Sequence, residues 1–109
     1  MKRPTELRRH FLAALWVGLG IVWPILSGLI GFQLVLGMLV GYLEGWPIGD
    51  ATYFTFVTGL TIGYGDVVPV RFFTRVIAIL IGFSGVLLTG LVAAIGVRAL
   101  QEATGPEVR

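Results

Sequence analysis

The stretch Thr61-Ile62-Gly63-Tyr64-Gly65-Asp66 lies between two strongly apolar segments and decides how the rest of the chain is read. Glycine at every second position suits a ribbon whose backbone alternates between right- and left-handed conformations, because glycine enters the left-handed region without steric cost. Such alternation turns successive carbonyl oxygens to one side. Thr61 adds a hydroxyl oxygen to the column, and Tyr64 is an aromatic placed to brace the ribbon from behind. A column of this kind replaces the water shell of a dehydrated cation. Glycine-rich hexapeptides are more often plain turns, so the flanking sequence carries the weight.

Upstream, Asp50 to Leu60 is a short helix candidate with Asp50 as its N-cap, preceded by the turn Glu44-Gly45-Trp46-Pro47-Ile48-Gly49. A helix over 50–60 is too short to cross a bilayer. It is expected to be re-entrant, and non-helical backbone at that depth survives only where protein or water surrounds it. Several copies of the chain around an axis meet that condition.

On either side lie apolar runs long enough to span. The first span is expected within 16–43, with Trp16 near one end and Tyr42 and Trp46 near the other as interfacial aromatics. Pro24 is either a kink or a helix start, and Gln33, strongly polar at mid-span, should face protein. The second span is expected over 71–98, rich in small residues. Residues 1–15 form a basic segment, read either as an interfacial amphipathic helix or as a disordered tail, and 99–109 a short polar tail. Lys2, Arg3, Arg8, Arg9, Arg98 and Arg109 flank the two spans on one side, against Arg71 and Arg75 on the other. That bias puts both termini in the cytoplasm and the 61–66 loop outside.

The chain has 109 residues, room for one domain, with 56% hydrophobic and 13% charged residues. The fold class expected is an all-α membrane protein of two transmembrane helices. Without cysteine, disulfides and thiol chemistry are excluded. The net charge of +2 resides mostly at the chain ends and reads as membrane orientation, not nucleic-acid binding. Glu44, Asp50 and Asp66 have no histidine, cysteine or nucleophilic serine around them, so an enzyme is the least favoured class.

The run from Asp50 to Pro69 resembles the pore loop of the two-transmembrane potassium channel family. Thr61 through Asp66 match its selectivity filter residue by residue. The likeness covers Glu44 to Ala99 well, and the first span only as a generic apolar helix. It implies a single potassium channel pore domain over 1–109 that assembles as a fourfold homotetramer in the cell membrane, among lipids. The implied K+ ligands are the carbonyls of Thr61, Ile62, Gly63 and Tyr64 with the Thr61 hydroxyl, Gly65 completing the filter. Val57 and Asp66 would support the filter, and Gly85 would be a gating hinge. Thr89, Ala93 and Val97 would line the cavity and inner mouth. The resemblance leaves room for an additional gating domain or subunit if the chain is a pore module of a longer protein.

Two departures stand out. Val57 occupies a position where some bacterial members carry glutamate, which leaves Asp66 without that acidic partner. Gly59 and Leu60 replace the threonine or alanine more often found before the filter. Three rival readings remain: a poorly selective cation channel, a subunit of a potassium-uptake transporter, and a membrane scaffold without transport. The intact Gly-Tyr-Gly argues against the first. A single repeat with the full motif argues against the second, whose chains carry four diverged repeats.

Overall fold

The computed structural model describes residues 3–108, with side chains through residue 104. It contains three helices, α1 (Pro4–Glu44), α2 (Ile48–Gly59) and α3 (Phe72–Val108), with no strand among the described residues.

Helix α1 takes in both the basic segment and the first span. Pro4 opens it at a position where the missing N–H has no helical partner to lose. The residues from there to 15 are helix continuous with the span, neither a separate interfacial helix nor a disordered tail. Pro24 lies inside α1, so it does not start a helix. An unbroken apolar sequence on both sides lets the helix propagate across the one hydrogen bond that proline removes.

Helix α2 begins earlier than the sequence suggested. Pro47 is its N-cap, with extended backbone (φ −61°, ψ 156°) and no side-chain cap bond. Asp50 is therefore not the cap. It sits in the first turn, where a carboxylate still favours the positive end of the helix dipole. Helix α3 continues past Arg98 through the segment read as a tail. Ile95, Ala99 and Ala103 are all buried, so an apolar stripe at helical spacing persists beyond the charged residue.

Helices α1 and α3 have 41 and 37 residues. At the usual helical rise they measure about 62 and 56 Å, roughly twice the ~30 Å hydrocarbon thickness of a bilayer. Both are apolar enough to cross a membrane. Trp16, Tyr42 and Phe72 are 79%, 83% and 84% exposed, so the chain by itself leaves much of its apolar surface for lipid or other protein to cover.

The chain divides into two compact units, one comprising Ser27–Thr89 and the other residues 1–26 with 90–109. The core of the first is Val40 from α1, Phe54 from α2, and Ile77 and Ile81 from α3. Trp46 packs its ring edge-on against Phe54, centroids 5.1 Å apart. Beside this core, α1 and α2 meet along two ladders of four-residue spacing. Gln33, Gly37 and Gly41 on α1 face Gly59, Thr55 and Ala51 on α2. A Cβ on Gly37 would overlap the Thr55 hydroxyl, and one on Gly41 would lie 2.5 Å from Ala51 Cβ. These glycines set how closely the helices approach, as the small-residue spacing predicts. In the second unit, Ile95 of α3 packs against Gly18 of α1.

One carboxylate joins the far ends of the first unit. Glu44, the last residue of α1, accepts hydrogen bonds from the N–H groups of Val70 (3.2 Å) and Arg71 (3.1 Å) and lies within bonding distance of the Thr74 hydroxyl. These groups surround the start of α3, where helical N–H donors have no intrahelical acceptor. From residue types alone, Arg71 and Arg75 could either snorkel or pair with acids such as Asp66 or Glu44. Glu44 instead holds the main chain of Arg71, and the Arg75 Nε donates to the Pro69 carbonyl (3.3 Å).

Candidate functional site

The loop leaving α2 is held by the last turn of that helix. Leu60 N–H donates to the Phe56 carbonyl (2.9 Å) and Thr61 N–H to that of Thr58 (3.1 Å). The Val57 carbonyl then receives two donors, Ile62 N–H at 2.9 Å and Gly63 N–H at 3.3 Å. Among the described residues no peptide bond is cis. In a trans peptide the C=O points opposite to the N–H across the same bond. The carbonyls of Thr61 and Ile62 are therefore directed away from the end of α2.

Backbone handedness alternates as the glycine spacing predicted, and one residue further. Thr61, Gly63 and Gly65 have φ of 62°, 61° and 84°, whereas Ile62 and Tyr64 keep negative φ. Threonine is β-branched, and the left-handed region costs such a residue about 1–2 kcal/mol. Its own N–H bond to Thr58 and the following bond to Val57 bracket it on both sides. Residue type points away from this strain, since β-branched threonine is among the residues least suited to it.

Asp66 has a partner that sequence reading missed. Its Oδ2 accepts a hydrogen bond from the Tyr53 hydroxyl (2.8 Å), and its Oδ1 accepts from Val67 N–H (3.1 Å). Tyr53 stands one turn before Val57 on α2, and residues four apart share a helix face. A donor at 53 thus does part of what an acid at 57 would do. That spacing was the available signal. The Asp66 hydrogen bond keeps the proton on the Tyr53 phenol and pushes its ionisation above the usual tyrosine range, so it remains a donor.

The other candidates fall as follows. Residues 61–66 are all exposed in the single chain, Tyr64 at 70%, so the chain's own residues do not brace it. Thr89, Ala93 and Val97 are exposed on one face of α3 at four-residue spacing. Gly85 is buried, and a Cβ there would overlap the Gly59 carbonyl. Close packing alone requires glycine at that position. Gly90, further along the same helix, has open space where a Cβ would stand. Gln33 faces protein as expected, its side chain against Gly59, yet its buried Nε2 has no hydrogen-bond partner.

A family model described as ion channel matches residues 24–102, which takes in the second half of α1, α2, the loop and most of α3. The chain belongs to this ion-channel family. The family is one of ion channels and not of enzymes, and α1 and α3 are both apolar enough to cross a membrane. The two pore potassium channel b of Oryza sativa subsp. japonica is 38% identical over 74 residues, covering 68% of this chain and 21% of that protein. The calcium-gated potassium channel TvoK of Thermoplasma volcanium is 52% identical over 55 residues, 50% of this chain and 16% of that one. Two-pore potassium channel 5 of Arabidopsis thaliana is 42% identical over 55 residues, 46% of this chain and 14% of its own. The chain therefore spans about a fifth or less of these relatives' length. No solved structure matches.

Proposed function

We propose that the chain forms one wall of a potassium-selective pore, four copies surrounding the axis, with K+ passing between the carbonyls of Thr61, Ile62, Gly63 and Tyr64. The observation that carries this reading is the alternation of φ at 61, 63 and 65 with two N–H groups drawn back to the Val57 carbonyl. Carbonyls freed on one side, repeated in four chains, supply the oxygen cage that a dehydrated cation needs. The relatives named as potassium channels support K+ as the ion.

In this reading α2 enters the membrane without crossing it, and the outer helix, pore helix, filter and inner helix follow in order within one pore domain. The negative end of the α2 dipole favours a cation near the inner end of the filter. Thr89, Ala93 and Val97 line the cavity and inner mouth, both termini are cytoplasmic, and the assembly sits in the cell membrane. The test is bilayer recording with K+ on one side and Na+ on the other. Unitary currents reversing near the K+ equilibrium potential are expected. A reversal potential near zero would mean a poorly selective pore, and the absence of unitary currents would favour a transporter subunit.

A further inference from the structure

In the unit formed by residues 1–26 and 90–109, a groove of about 400 Å³ opens between α1 and α3. Its body is apolar, walled by Val17, Gly18, Ile21 and Ile95, and Arg98 and Glu102 line it as well. Helical order puts those two charges beyond Ile95, toward the end of α3. The groove is thus apolar along its length and charged at one end, the pattern of an amphiphile. A second groove, between Trp16 and Trp23, has no charged residue in its lining and so offers only the apolar half.

Two further observations say which amphiphile. Arg98 contacts Glu102 through Nε alone, at 3.5 Å, with the Arg98 side chain 82% exposed. A pair so long and so open to solvent holds the guanidinium weakly, and both Nη groups are left for a second anion. Among the described side chains of this unit, Arg3, Arg8, Arg9 and Arg98 outnumber Glu6 and Glu102, so the local field is positive. Arg98 is the first charged residue after the uncharged stretch 76–97 of α3, and such a residue at the end of a span holds its guanidinium at headgroup depth.

We propose that this groove seats one acyl chain of an acidic glycerophospholipid, its phosphate held by Arg98. The site is separate from the 61–66 loop, and its occupancy does not depend on which ion the pore conducts. The experiment is native mass spectrometry of the delipidated full chain, offered equal amounts of dioleoyl-phosphatidylglycerol and dioleoyl-phosphatidylcholine, which share tails and differ in headgroup charge. The wild type should retain the acidic lipid several-fold over the zwitterionic one. Arg98→Gln should bring that ratio close to one, and Glu102→Gln should raise it, because the competing carboxylate is gone. Ala14→Phe, which fills the groove, should lower retention of both lipids; Val17→Phe is the second variant if that one misfolds. Excess inorganic phosphate should not displace the lipid. Equal retention in the wild type, a ratio unchanged in Arg98→Gln, full retention in a folded groove-filling variant, or displacement by inorganic phosphate would each overturn the proposal.

Discussion

In the loop at 61–66, Gly63 and Gly65 have positive φ and open space where a Cβ would stand. At the junction of α1, α2 and α3 the situation is reversed. Gly59 and Gly85 lie within helices at ordinary dihedral angles, and a Cβ on either would run into a neighbour. The loop needs glycine for a backbone conformation, and the junction needs it for a distance. The same substitution should therefore have different consequences in the two places: lost conduction with the fold kept, or a lost fold.

The largest effect is expected for Gly85→Ala. Its methyl meets the backbone of Gly59, which has no flexible side chain to move aside. Helices α2 and α3 must separate, at about 1–3 kcal/mol per chain. Folded yield and melting temperature in detergent should both fall. Normal values would show that the helices do not hold this contact. Gly85→Ala therefore reports on packing first and cannot serve as a pure probe of hinge bending at that position.

Gly63→Ala should come next, and it should act on function. The added Cβ is placed in the left-handed region at a strain of about 1–2 kcal/mol, with nothing nearby to collide with. The protein should assemble and melt nearly as before while K+ over Na+ permeability collapses. Unchanged permeability would remove the loop from the ion path.

Tyr53→Phe sharpens the comparison within the loop's own support. It removes the donor to Asp66 Oδ2 and leaves the Val67 N–H bond to Oδ1. Both side chains are exposed, so melting should hardly change. Currents under steady K+ should decline faster than in the wild type. Equal decline would mean that the Tyr53–Asp66 bond does not steady the filter.

The smallest effect belongs to Gly90→Ala. With open space around it, alanine there should add about 0.5–1 kcal/mol of helix stability and leave assembly intact. A change in open probability at unchanged unitary conductance would locate cheap bending at 90. No change would leave Gly90 without a role in gating.

Much of this organisation was legible in the sequence. The order of helices, the short α2 and the alternating glycines follow from apolar length and residue type. That Gly85 packs on Gly59 while Gly90 stands in open space was not legible, because a glycine's spacing along one helix does not say which faces meet a second backbone. Two boundaries moved: Pro47 displaced Asp50 as the N-cap of α2, and α3 runs on past Arg98, where burial of Ala99 and Ala103 outweighs the charged residue between them and the span. The left-handed Thr61 was hidden for a different reason, since it depends on the loop folding back on α2, which residue types do not specify; for Tyr53 only its place one turn before Val57 was visible beforehand.

Glu44 has a consequence for the order in which the chain is made. Its carboxylate meets Val70, Arg71 and Thr74, the last of these 30 residues later in the sequence. During synthesis it has to wait for α2, the loop and the first turn of α3 before these partners exist. Closing that loop costs chain entropy that grows only slowly with its length. Once closed, it turns residues 44–74 into a belt of fixed circumference, with the 61–66 stretch inside it. Any later slackening of that stretch must be taken up within the belt, because neither end is free to give.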